Sequence, residues 1–351
     1  MNNSELNKSK NWFVINGIVS EKASLVKGKG RVPMQIEDVE IDEYDENGKT
    51  AGKIKCKRLF GLVSLRTADG VLDVGVNFKS KTVRGEDSKT WGMARKIMEW
   101  TPEIGDGADG EPSMVSMSGS VSIYDNFGKD GKHYPTLQFN ASQKCQHISM
   151  DFEQTGCTLS GTAYVKAVTP EMRKNGDDME ETGRYKAECY GADNRGQVFP
   201  IDIMIEGDDA IEFMTDDDVV GGTISFVANR VKRHVGGKKS TTMKKFGEAK
   251  AETSSSFDVE ELVLVGAEVI EEPEIVEDDE GNKLPDKSGY MNPVAVKKAL
   301  KERAKMLEEL KNKGDKKPDI KAAKKSYGTG KAKSVVQDEF DEDDNLDSDP
   351  F

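Results

Sequence analysis

Along most of the first 270 residues apolar and polar positions alternate, and the apolar ones are rich in Val, Ile, Phe and Tyr. That period of two predicts half-buried strands rather than helices. The pattern then repeats itself once, in order. The first unit opens with a β-rich run over 12–20 that contains Gly17, the second with a run over 157–165 that contains Gly161. A glycine inside a strand marks a bulge or a sharp bend. Runs over 55–61 and 186–191 follow, each with an aromatic directly before a glycine: Phe60-Gly61 and Tyr190-Gly191. Turns at Asp69-Gly70 and Arg195-Gly196 lead into strands over 72–78 and 198–205. The period next changes to that of a helix over 90–100, shrunk in the second unit to 209–214. Strands over 117–124 and 221–227, basic hairpin loops over 127–132 and 230–245, and closing strands over 136–141 and 257–265 complete the two units.

Three strands, a helix and two strands, twice over, predict a mainly β protein with two OB-fold-like five-stranded barrels in tandem. Glycine-bearing bends let a five-stranded sheet curl onto itself, and the helix between the third and fourth strands favours this layout over two β-sandwich units. The expected boundaries are a disordered N-terminus over 1–10, a first barrel over 11–150 and a second over 151–270. An acidic, proline-containing linker spans 271–291. Asn292-Pro293 is a helix start, an N-cap followed by Pro at the first helical position. A short amphipathic helix is expected over 292–313, with Val296, Ala299, Leu300, Ala304, Leu307 and Leu310 near one face and lysines on the other. Docking against its own barrels is the default for it; a partner or the acidic tail is the alternative. A flexible Lys-rich tether over 314–337 and an acidic tail over 338–351 close the chain.

Composition narrows the class. The hydrophobic share is 35% of 351 residues, which leaves room for two domains plus unstructured tails. No window approaches the apolar length a membrane span needs, and residues 1–10 hold no apolar leader, so a cytoplasmic protein without membrane contact is expected. The four cysteines, Cys56, Cys145, Cys157 and Cys189, form no Cys-x-x-Cys pair and read as reduced core residues. His133, His147 and His234 are the only histidines, and Cys145-Gln146-His147 is better read as structural than as a metal pair. No phosphate loop, Gly-x-Ser-x-Gly or His-Glu-x-x-His motif is present, so no enzyme, cofactor or metal is expected. Asp73 and Asp202, at similar points of the two units, leave a metal-dependent nuclease as an alternative. Trp12, Trp91 and Trp100 lie in apolar periodic segments and read as core.

The net charge of −13 argues superficially against nucleic acid, but the signs are segregated. Basic residues cluster over 79–96, 230–250 and 297–333, and local patches rather than net charge set affinity for phosphate. The acids concentrate elsewhere, above all in the tail. From 338 onward the chain reads Asp-Glu-Phe-Asp-Glu-Asp-Asp-Asn-Leu-Asp-Ser-Asp-Pro-Phe, without a Lys or Arg. Like charges at that density cannot collapse into a core.

This ending resembles the acidic C-terminal tip of bacterial and bacteriophage single-stranded DNA-binding proteins, an Asp-rich stretch that closes on Pro-Phe. The resemblance covers about the final fourteen residues. It implies a partner-binding tip, in which the last Phe fills an apolar pocket and basic residues of the partner hold its carboxylate. The carried-over residues are Leu346, Asp347, Asp349, Pro350 and Phe351. The family usually has an apolar residue before the Pro, where this chain has Asp349; Leu346 is the apolar residue available further back. A plain solubilising tail would share the composition.

Non-specific binding of a single strand needs aromatic faces for the bases and cations for the backbone on one surface. Strand alternation puts Phe60 and Arg58 on one face and Lys57 with Lys55 on the other. Tyr190 is in phase with Lys186 and Glu188. A charged neighbour in phase with each ring argues for exposure, and a core position is the alternative. The hairpin loops offer Phe127, Lys129, Lys132 and Tyr134 in the first unit and Arg230, Lys232, Arg233, Lys238 and Lys239 in the second. The expected function is a non-enzymatic protein that coats single-stranded DNA during replication, recombination or repair. Its tail would recruit a polymerase, helicase, primase or recombinase. Bacteriophage origin and a monomer or dimer are expected. A protein–protein module of a replisome or virion, without DNA binding, is the other class left open.

Overall fold

The computed structural model describes residues 6, 11–26, 30–45, 48–128, 131–175, 178–193, 197–235, 257–273 and 288–314. The tether, the tail with Leu346, Asp347, Asp349, Pro350 and Phe351, and the loop residues Lys129, Lys238 and Lys239 lie outside them. In chain order the strands are β1 (Trp12–Val26), β2 (Gly30–Pro33), β3 (Ile36–Tyr44), β4 (Thr50–Thr67), β5 (Gly70–Lys79), β6 (Met114–Phe127) and β7 (His133–His147). The second unit holds β8 (Gly156–Asn175), β9 (Asp178–Ala192), β10 (Val198–Ile205), β11 (Thr223–Val235) and β12 (Phe257–Ile270). Helix α1 (Trp91–Glu99) lies between β5 and β6, α2 (Asp208–Thr215) between β10 and β11, and α3 (Pro293–Gly314) after β12.

Pairing closes each unit on itself. In the first, β1 pairs with β4, β4 with β5, β5 in parallel with β7, β7 with β6, and β6 with β1. In the second, β8, β9, β10, β12 and β11 repeat that circuit, again with one parallel contact, Met204 to Val263. Five strands in that order, with a helix after the third, form an OB-fold-like barrel. Closure needs backbones to approach closely where the sheet turns its corners. At Gly61 a Cβ would lie 2.1 Å from Ala23 O, and at Gly119 one would lie 1.9 Å from Asn140 O. No side chain fits at either corner.

The inward positions are those the alternation singles out. Leu59, Val63 and Leu65 of β4 and Leu72, Val74, Val76 and Phe78 of β5 are buried, and they belong to one core that also holds Phe13, Ile97 and Trp100. Trp100 is core as expected, Trp91 is half-buried and packs against that core, and Trp12 is only half-buried. Lys22 on β1 closes the C-terminal end of α1: its Nζ donates to Met98 O at 3.0 Å and Trp100 O at 2.5 Å. Cations suit a helix C-terminus, and burial holds this ammonium below the usual lysine range. Burial also pushes the thiols of Cys145, Cys157 and Cys189 up to about 12, so they stay neutral core groups.

The two barrels share one sheet. Residues 12–16 of β1 pair with β6 on one edge and with β8 on the other, Trp12 facing Ser160. A polar seam adds to this. Lys232 N donates to Asp69 O at 3.0 Å, and Arg230 reaches Asp73 O at 2.8 Å.

Three differences from the sequence reading have physical causes. Strands β2 and β3 were not expected, because the acid-rich run over 36–44 lacks the apolar content of a core strand; it pairs along an exposed arm of β4 instead. The basic segment read as a loop from residue 230 continues as strand β11 to Val235, paired residue by residue with β12. The echo of Phe60 in Tyr190 is out of register. Val19 faces Leu65 and Val165 faces Cys189, each just before a bulge, so Tyr190 stands at the level of Arg66, and Phe60 at the level of Arg184. Asp73 and Asp202 do stand at one level, opposite Ser64 and Glu188.

Candidate nucleic-acid interface

Beyond the barrel proper, β4 runs on as an arm with β3 at its side. On the first barrel this arm and the start of α1 enclose a groove of about 980 Å³. Its walls carry Lys55 and Lys57 from β4, Lys81 from the turn after β5, and Lys89, Trp91 and Arg95 from the entry of α1. Asp38 and Glu40 on β3 and Asp87 add three acids against those five cations. Lys81 is paired with Asp87 at 2.6 Å. Among the described residues Lys55, Lys57, Lys89 and Arg95 have no such partner, and all four are exposed. A half-buried indole with exposed cations around it offers one stacking face and several phosphate contacts in one trough.

Arg58 and Phe60 project from the other face of the same strand, as alternation requires. Phe60 is half-buried. The Arg58 guanidinium lies 4.9 Å from its ring centroid and also donates to Glu37 at 3.0 Å. This arginine–aromatic stack borders the groove strand.

The β6–β7 hairpin forms a finger. Phe127 is half-buried with its ring 5.1 Å from that of His133, while Lys132 and Tyr134 are exposed, Tyr134 at 49%. Near the free end of the finger His133 Nε2 lies 2.7 Å from Asp125 Oδ1, which also accepts from Arg303 of α3.

The second barrel disposes of its candidates differently. Arg230 is buried: it donates to Glu260 at 2.6 Å and to Asp73 O, and its guanidinium lies 4.1 Å from the Phe139 ring centroid. It therefore joins the barrels from strand β11, which corrects its placement on a loop. Arg233 pairs with Glu206 and Glu261, Lys232 lies 3.8 Å from Asp258, and Lys186 pairs with Asp202 at 2.6 Å. Arg184 joins the same acids, bonding Glu261 at 2.6 Å. Tyr190 is half-buried against a small separate cluster made by Leu6, Ala192, Val198 and the α3 residues Ala295 and Val296. Helix α3 thus docks in cis, in the cluster against which the Tyr190 ring packs.

Sequence reasoning found Lys57 and, beside it, Lys55, but missed Trp91, Lys89, Arg95 and Lys81 as one site. The available signal was the basic cluster over 79–96; what it lacked was the arm that folds over it. The two aspartates considered for a nuclease stand on different barrels. Asp73 accepts from Ser64 at 2.5 Å and Arg31 at 2.8 Å, and Asp202 pairs with Lys186. Among the described residues no three His, Cys, Asp or Glu side chains gather as a metal site, and no helix is long and apolar enough to cross a membrane.

No family model matches the chain, and no curated protein does. Among solved structures it is similar to the wild-type single-stranded DNA-binding protein of Thermus aquaticus, at 9% identity and a TM-score of 0.37 over 78% of this chain and 99% of that one. A deletion mutant of the same Thermus aquaticus protein aligns at 10% identity and a TM-score of 0.38 over 77% of this chain and 99% of that one. At this level of likeness the functional reading rests on the chain's own residues.

Proposed function

We propose that this protein binds single-stranded DNA without sequence preference, through its first barrel, and presents a partner-recruiting tail. The observation that carries the reading is the groove between the β3–β4 arm and α1, where Trp91 is ringed by Lys55, Lys57, Lys89 and Arg95. Base–aromatic stacking contributes about 1–3 kcal/mol per base whatever the base, and lysines track the backbone. The Arg58–Phe60 stack lies on the opposite face of the strand that supplies Lys55 and Lys57, and the finger with Phe127, Lys132 and Tyr134 offers a second contact. Lys129, Lys238 and Lys239 would add charge from the hairpin loops. Apart from Lys238 and Lys239, the second barrel serves as scaffold, since Arg230, Lys232, Arg233 and Lys186 already face carboxylates.

The tail reading extends this to recruitment of replication or recombination proteins by Leu346, Asp347, Asp349, Pro350 and Phe351. Fluorescence anisotropy of a labelled oligonucleotide, competed with duplex of the same sequence, tests the first claim. The expected result is preference for the single strand, and Trp91→Ala weakens it by about 5- to 150-fold, one stacked base. No binding at low salt would leave an interaction module as the better description. Deleting residues 338–351 should leave DNA affinity unchanged or raised, because the acids compete with phosphate; pull-down of a partner should be lost.

A further inference from the structure

Helix α3 does more than cap the second barrel. It crosses to the first, where Arg303 and Asp125 meet with both side chains only 8% exposed. Two charges that deep are costly unless each is paired. A well-packed apolar pair would hold a helix down as firmly as this one does. What the ion pair adds is direction, because Asp125 Oδ1 is shared: it accepts from Arg303 and lies 2.7 Å from His133 Nε2. His133 in turn lies against the ring of Phe127, the last residue of β6, and begins β7. Contiguous contacts thus run from the C-terminal helix to both strands of the finger at its free end. The last turn of α3 also reaches that end: a Cβ on Gly131 would lie 3.6 Å from Lys311 Nζ.

We propose that Arg303 is a positioning residue for nucleic-acid binding. Through Asp125 and His133 it sets the angle of the β6–β7 finger, so that Lys132 and Tyr134 meet the strand that the groove holds. This deepens the proposed function and rests on it. It also links the finger to the helix from which the tail continues. Any partner that shifts α3 would thereby alter the finger's grip on the strand.

The test is a double-mutant cycle in the full chain, read as affinity for a fluorescent single strand. Tyr134→Ala alone should weaken binding by about 5- to 150-fold, one stacked base. In the Arg303→Ala background the same change should cost less than about twofold, because the finger no longer holds the ring in place. Arg303→Lys, which retains the charge, should restore most of the Tyr134 effect. The double variant Arg303→Met with Asp125→Leu replaces the pair by apolar groups and guards against misfolding; it should keep α3 docked, seen as slow amide exchange at Val296, yet be insensitive to Tyr134→Ala. An equal Tyr134 effect in all backgrounds would overturn the proposal while leaving DNA binding intact. Failure of the wild-type chain to bind any single strand would overturn both.

Discussion

Replacing Lys57 and Lys89 together by Gln perturbs the groove without touching the core, since both side chains are exposed and line the trough from opposite walls. Their effect can be worked from counterion release. Each phosphate neutralised on a single strand contributes about −0.7 to the slope of log K against log salt. Four cations in the groove, Lys55, Lys57, Lys89 and Arg95, therefore give a slope of about −2.8 from this site. Raising salt from about 50 to 200 mM would then weaken binding by about 50-fold. With two of the four removed the slope should fall to about −1.4, and the same salt step should cost only about 7-fold. Anisotropy titrations of an unstructured oligonucleotide at four salt concentrations measure both slopes. Contacts elsewhere raise both slopes equally, so the difference of about 1.4 is the quantity that matters. A double variant whose slope matches that of the wild type would refute the groove as the strand's path, whatever its affinity.

Arg230→Ala should destabilise the protein by about 1.5–3 kcal/mol, through loss of its charge-assisted bonds to Glu260 and, across the seam, to Asp73 O, measured by urea unfolding. It should change single-strand affinity by less than about twofold. Gly119→Ala should cost about 1–3 kcal/mol or more, because the new Cβ meets the Asn140 carbonyl and the β6–β7 corner must open; a melting temperature equal to that of the wild type would contradict the closure argument. Acidification should weaken the Arg66–Glu103 pair. The Arg66 hydrogen bond holds the Glu103 carboxyl below its usual 4.5, so the unfolded chain takes up this proton first. The pair's contribution is present above pH 4.5 and is lost as pH falls through the lower folded-state value. Glu103→Gln should accordingly flatten the stability-versus-pH curve below pH 4.5, with the two curves differing most at neutral pH.

The order of elements was readable because alternation and the single change to helical period in each unit are local properties. Leu72, Val74, Val76 and Phe78 announce an inward face whatever they pack against. Register was not readable. The Phe60-Gly61 and Tyr190-Gly191 dipeptides look equivalent, yet the bulges after Val19 and Val165 set the strands so that they stand at different levels. Charged residues were the hardest to place. Arg58, Arg230 and Arg303 look alike in the sequence; one flanks a half-buried ring, one joins two barrels and one reaches a hairpin.

The sequence by itself determined that this chain is mainly β, duplicated, segregated in charge and tipped by an acidic Pro-Phe tail, because each of these is written in neighbouring residues. Only the tertiary structure decided which cations remain open to a phosphate. A lysine's availability depends on the carboxylates that folding brings beside it from distant strands. Asp202 meets Lys186 and Glu260 meets Arg230, whereas among the described residues no carboxylate forms an ion pair with Lys57 or Lys89, although Asp38 stands across the strand from Lys57. The groove exists because the arm of β4 and the entry of α1 line one space, segments more than thirty residues apart that no local pattern brings together.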